Sequence, residues 1–113
     1  MNITRNNPPR QYQVGSVEIT DCGKIELASD EQVTFTHGTG EHDLTAKSWG
    51  FYATASVNDR LVRMGFKTAL SENAQGKLFV HVVRRDHIKE YNDYLESEKG
   101  RVVEWIDERP WHP

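Results

Sequence analysis

The sequence predicts an α+β fold, a mainly antiparallel β-sheet backed by one amphipathic helix. Three patterns predict it. Apolar and polar residues alternate with a period of two through much of 16–46, the spacing of half-buried strands. A short run, 78–83, is apolar on both faces, as a covered strand would be. Ile88, Tyr91 and Leu95 then recur at helical spacing.

Residues 1–15 are rich in Asn, Arg and Pro. With few apolar groups to offset its ordering entropy, this segment is expected to be a disordered N-terminal arm. One α+β domain is expected over 16–107. Val17 and Ile19 open a strand, Asp21-Cys22-Gly23 reads as a tight turn, and Ile25 and Leu27 resume the alternation. Val33 and Phe35 form the next strand, and Gly38-Thr39-Gly40 permits a reversal. A short strand then points Leu44 inward. This half is an antiparallel meander with one wet face.

The second half reads β-β-α-β. Ser56 and Asp59 resemble a capping box that opens a short helix over about 57–63, closed by Gly65. Residues 65–70 and 77–84 form a hairpin, and the second strand, covered on both sides, is expected to be central. Asp86 caps the major helix, about 86–99, and Gly100 suits its left-handed stop. In the last strand Val103 and Trp105 share one face, with Val102 and Ile106 on the other. Residues 108–113, with two prolines, are expected to be a C-terminal tail.

Composition excludes several functions. Cys22 is the only cysteine among 113 residues, so an internal disulfide and a Cys-based zinc finger are both ruled out. A single thiol fits a reducing compartment. No apolar run reaches the roughly 20 residues of a membrane helix, and no signal-peptide core precedes residue 15. A soluble, cytoplasmic protein of bacterial style is the expectation. Phosphate-loop, dinucleotide and Gly-x-Ser-x-Gly motifs are absent, and no cofactor is expected. The arm carries +2, so the rest of the chain carries −5 of the formal −3 total, which repels nucleic-acid backbones. The RNP1 pattern of RNA-recognition strands is matched only at Phe79-Val80, without its stacking aromatics. Nucleic acid and membrane are therefore not the expected partners.

Charge is uneven. Residues 60–85 hold six bases against Glu72 alone, a block of +5. Such a block is either neutralised by acids of neighbouring strands or forms a local anion site. Next to it lies the densest aromatic and polar cluster. Trp49 and Tyr52 can stack on a flat ligand, and Asn58, Asp59, Arg60 and Arg63 supply directional hydrogen bonds. A binding module for a small polar or anionic ligand, sugar-like or nucleotide-like, is the function expected.

Self-association is expected beside it, as a homodimer or higher oligomer. Phe79, His81 and Val83, with Val102 and Ile106, would form an apolar sheet face that one helix leaves open. A purely structural oligomerisation protein is one alternative. The other is a small enzyme in which His37, His42 and Asp43, flanking the Gly38-Thr39-Gly40 loop, hold a metal or act as acid and base. His81, in an apolar strand, is read as a hydrogen-bonded core histidine.

Overall fold

Residues 1–110 are described by a computed structural model of the chain. It divides into two compact units, Met1–Thr54 and the part from Ala55 onward. The boundary falls within the stretch 16–107 that the sequence suggests is one domain. The α+β class and the dominance of antiparallel pairing are as expected. No helix among the described residues is long and apolar enough to cross a membrane.

The first unit opens with a difference from expectation. The arm is not disordered: β1 (Asn2–Val14) pairs antiparallel with β2 (Val17–Glu26). The physical reason is long-range pairing. Ile3, Tyr12 and Val14 lie opposite Ile25, Ile19 and Val17, so three cross-strand apolar pairs hold a segment whose average composition is polar. The strands turn at Gly15, whose φ is 58°.

Asp21-Cys22-Gly23 is not a turn either, since β2 runs straight through it. The irregularity lies in β1, where the register jumps between Arg5 opposite Gly23 and Arg10 opposite Asp21. Pro8 and Pro9, which lack N–H donors, sit in that bulge. Asp21 ties it down. Its carbonyl accepts from Asn6 Nδ2 at 3.0 Å, and its carboxylate accepts from Arg10 Nη2 at 3.0 Å and from the Gly23 N–H at 3.2 Å. The Arg10 guanidinium and the Gly23 N–H hold the Asp21 carboxyl below its ordinary pKa.

A three-stranded meander follows: β3 (Gln32–His37), β4 (Gly40–Lys47) and β5 (Gly50–Ala53), in that order. The expected reversal is in place between His37 and Gly40. Its polar face is not simply wet. Asp43 is 2% exposed and accepts from Thr34 Oγ1 at 2.7 Å. Thr45 lies 3.2 Å from Gln32 Oε1 and 3.0 Å from Thr54 Oγ1. Each hydroxyl of this ladder has a partner, which is what makes its burial tolerable. On the other face Leu44 is half-buried and Ala46 buried, while Phe35 and Phe51 are exposed.

In the second unit, α1 (Arg60–Arg63) is the short helix. It starts later than the expected 57 and the Ser56–Asp59 capping box is not formed: Asp59 is the N-cap, without a side-chain cap bond, and Ser56 Oγ accepts instead from the Arg60 N–H at 2.7 Å. Leu61 fills the core at 1% exposure. Next come β6 (Phe66–Glu72), β7 (Leu78–Arg84), α2 (Ile88–Ser97) and β8 (Arg101–Trp105). A 3-10 turn, Arg85–His87, leads into α2, and another, Ile106–Glu108, follows β8. Of the expected tail 108–113, residues 111–113 lie outside the described residues.

The sheet order is β7-β6-β8. The central strand is therefore β6, not β7. Both neighbours run antiparallel to β6, so α2 carries the chain from one edge strand to the other across the sheet. Long-range pairing decides this, and apolar residues on both faces of β7 do not reveal it.

Tyr91 and Leu95 of α2 face the sheet. The Tyr91 hydroxyl lies 2.6 Å from His81 Nδ1, and its ring packs 5.9 Å from Trp105. The helix thus covers the face at His81 and Val83, while Phe79 at the far end of that face stays 48% exposed. Leu78 and Val80, on the opposite side of the same strand, are the more exposed. A bulge between Leu70 and Ser71 partners breaks the alternation of β8 and leaves Val103 unpaired and exposed.

The ends of α2 also depart from the sequence reading. Asp86 does not cap it; its carboxylate is engaged by His87 Nδ1 at 2.7 Å. The left-handed residue at the far end is Lys99, with φ 57°, and not Gly100. Nested bonds from Lys99 N–H to Glu96 O (3.1 Å) and from Gly100 N–H to Leu95 O (2.8 Å) close that terminus. Gly100 is needed for another reason: a Cβ there would lie 3.2 Å from the Glu72 carbonyl oxygen.

Candidate ligand site

The residues that the sequence nominates divide between the two units. Trp49 and Tyr52 belong to the β4–β5 hairpin of the first. The hairpin turns at Ser48-Trp49, because Lys47 pairs with Gly50. That turn projects Trp49, which is 69% exposed, and Tyr52 is exposed too. Their rings stand 6.4 Å apart at 49°, a tilted pair with apolar faces open to water. Phe51, on the opposite face of β5, is 74% exposed. Strand alternation alone reads such a phenyl ring as core.

Asn58, Asp59, Arg60 and Arg63 belong to the second unit, at and before α1. Asp59 and Arg63 are joined, with Nε donating to Oδ1 at 2.9 Å across one helical turn. This exposed pair orders the two side chains more than it stabilises the fold. Arg60 is half-buried at the start of the helix.

Directly after α1 lies an open depression of about 350 Å³ lined by Met64, Gly65, Arg84, Arg85 and Asp86. Arg85 holds its walls through both its backbone and its side chain. The Arg85 N–H donates to Gly65 O at 2.8 Å, and Arg85 Nη2 donates to Val62 O at 3.1 Å. Arg84 lies over the Phe66 ring at 5.7 Å, a contact that orients its guanidinium. Asp86 adds a carboxylate held below its ordinary pKa by His87. Two arginines and one acid on a concavity of this size can hold a small anion that also carries a hydroxyl or amide donor.

The sequence does not single out Arg84 and Arg85 individually. In the sequence they belong to the basic block 60–85, part of which is paired with acids. Lys67 pairs with Asp107 at 3.0 Å and Arg63 with Asp59, and Arg84 and Arg85 line the concavity.

The histidine set does not come together. His42 pairs across the strands with Phe35 and Asp43 with Thr34, so strand alternation sends His42 and Asp43 to opposite faces. Among the described residues no group of three or more His, Cys, Asp or Glu side chains could hold a metal ion. His42 Nδ1 is buried without a hydrogen-bond partner. His81 is hydrogen-bonded to Tyr91, and burial lowers its pKa. Burial raises the pKa of Tyr91, and a hydrogen bond with Ser71 works against that rise. Ser71, Tyr91 and His81 thus form a polar chain beneath α2.

No family model matches the chain, no curated protein matches it, and no solved structure matches it.

Proposed function

We propose that this chain is a cytoplasmic binding module for a small polar or anionic ligand of sugar-like or nucleotide-like chemistry. The observation that carries the reading is the concavity of about 350 Å³ in the second unit, where Arg84 and Arg85 stand beside Asp86. A cavity of that volume is at the small end of ligand sites. Its two guanidiniums suit a phosphate or carboxylate, and its acid suits a hydroxyl. Arg60 and Arg63 lie on the helix that leads into it, Arg63 tied to Asp59. Within the first unit, Trp49 and Tyr52 offer a stacking surface for a flat ring.

Self-association is the second part of the proposal. Large apolar side chains exposed in both units, among them Ile3, Phe51, Leu78 and Val80, support it.

Calorimetric titration with inorganic phosphate, a hexose phosphate, a nucleoside monophosphate and a dicarboxylate tests the ligand reading. At least one anion is expected to bind, more tightly when it carries hydroxyls. Arg84→Gln and Arg85→Gln are each expected to weaken that binding about tenfold or more, the loss of one charge-assisted bond. Trp49→Ala should weaken only a probe with an aromatic ring. Binding left intact in both arginine variants would eliminate the concavity as the site.

A further inference from the structure

The sheet of the second unit has two edges, and they are finished differently. β8 is short, carries Arg101 and Glu104, and meets β6 with a register shift between Leu70 and Ser71. Charges and irregularities of that kind keep an edge from recruiting another strand. β7 has none of them. From Leu78 to Val83 it contains no Pro, Gly, Lys, Arg or acid, and it pairs with β6 alone, in unbroken register. Leu78, Phe79 and Val80 are all exposed, Val80 by 63%.

The backbone phase of that edge is fixed. The Asn73 N–H donates to Lys77 O at 2.9 Å, and the Arg85 N–H to Gly65 O at 2.8 Å. Both are directly opposed pairs in the register that sets Glu72 against Leu78 and Phe66 against Arg84. Antiparallel bonding alternates along a strand, so Phe79, His81 and Val83 direct their N–H and C=O groups to β6. Leu78, Val80 and Val82 turn theirs outward, where among the described residues they meet no backbone partner.

We propose that this edge takes up an extended peptide segment of a partner protein, apolar at its centre and acidic at both ends, as an added antiparallel strand. The proposal rests on the anion-binding reading above and names its ligand class: one peptide carboxylate is the anion that enters the concavity at Arg84 and Arg85. Charge selects the occupant. Lys77 stands at the start of the strand, Arg84 and Arg85 at its end, and residues 77–85 include no acid. The acids beside the two ends are engaged, Asp86 with His87 and Glu72 with Arg101. A second copy paired antiparallel over the whole strand would set His81 against His81 and Lys77 against Arg85, like charges facing at both ends. A peptide with an acid at each end meets a base there instead. Between the ends, Leu78, Val80 and Val82 on one face and Phe79 and Val83 on the other suit a strand apolar on both faces. Ile3 and Phe51, in the first unit, lie outside this edge and remain available to self-association.

Fluorescence anisotropy of the full chain with a labelled peptide, Asp-Glu-Val-Leu-Val-Thr-Val-Asp-Glu, and with its counterpart bearing Lys for every acid, tests this. The acidic peptide is expected to bind in the micromolar range, and the basic one about tenfold or more weakly. Val80→Pro removes an outward N–H and leaves the bonds to β6 in place. It should abolish peptide binding and keep the binding of hexose phosphate. Lys77→Glu with Arg85→Glu should reverse the preference to the basic peptide, an outcome that loss of folding does not produce. Hexose phosphate binding with no peptide binding overturns the added strand alone, and binding of neither overturns the anion site with it. Peptide binding that survives Val80→Pro overturns the edge. A dimer in sedimentation equilibrium that Val80→Pro converts to monomer gives the edge to a second copy and overturns the peptide.

Discussion

The Lys67 ammonium lies 3.0 Å from an Asp107 carboxylate oxygen, and the other oxygen of that carboxylate accepts the Thr68 N–H at 2.8 Å. One acid thus pins the central strand β6 to the turn after β8. The pair is shielded, with the Asp107 side chain 6% exposed and Lys67 lying 4.9 Å from the centre of the Trp105 ring. Burial acts to raise the Asp107 pKa, but the Thr68 N–H and Lys67 outweigh it and the net direction is downward. Its stabilising contribution is therefore present above the ordinary carboxylate range and is lost as pH falls through the depressed folded value. Asp107→Ala should cost about 1–3 kcal/mol, the range for losing charged hydrogen bonds at a shielded site. Asp107→Asn, which keeps the Thr68 bond, should cost less. Urea unfolding at neutral pH measures both, and equal stability of all three proteins would contradict the argument.

His81 has the same sign of pH dependence in a higher window. Burial lowers its pKa, and Nδ1 is engaged by Tyr91. The unfolded chain binds the proton more readily, so stability should decline as pH falls below the ordinary histidine value of about 6.5 and on through the lowered folded value. Tyr91→Phe leaves His81 and Ser71 without that hydroxyl and should cost about 1–2 kcal/mol. His81→Gln should flatten the stability profile between about pH 5 and pH 7. Thermal melts across that window decide the matter, and an unchanged slope in His81→Gln would assign the dependence elsewhere.

What the sequence made legible follows from the range of the interactions involved. Strands such as β3 were readable because Val33 and Phe35 alternate with polar neighbours within six residues. β1 was not, because its support comes from Ile19 and Ile25 across the hairpin and not from its own composition. The place of β6 at the centre was hidden for the same reason, since its second partner arrives only after α2. Beside the candidate site, Arg60 and Arg63 are legible as helix neighbours of an aromatic cluster. Arg84 and Arg85 were visible only as charge, and it takes the bond from Arg85 to Gly65 O to bring them beside Met64.

Lys99 shows how a local rule can be displaced by one residue. It holds φ 57° at the end of α2, a conformation that is costly for any residue with a Cβ. Gly100 beside it is reserved for the approach to Glu72 O. Lys99→Gly should therefore stabilise the second unit by up to about 1 kcal/mol. Gly100→Ala should destabilise it, because the added methyl meets backbone that cannot rotate away. Denaturant midpoints of the two variants are expected to move in opposite directions, and a loss of stability in Lys99→Gly would refute the account of this terminus.

Gly23 offers the sharpest test of the β1–β2 ribbon. Its φ is 150°, and a Cβ built there would lie 2.1 Å from the Thr4 carbonyl oxygen and 3.0 Å from the Arg5 Cα. Both neighbours are backbone, so neither can swing clear as a side-chain end would. Gly23→Ala must push β1 and β2 apart where the strands recover register after the Pro8-Pro9 bulge. The cost is expected to be at least about 2 kcal/mol, combining the conformational penalty with the lost pairing. Hydrogen exchange should show it locally. Amides on both sides of the Thr4–Lys24 row should lose protection, while those of β6, in the other unit, keep theirs. Ribbon amides as slow in Gly23→Ala as in the parent chain would mean that the two strands do not lie this close.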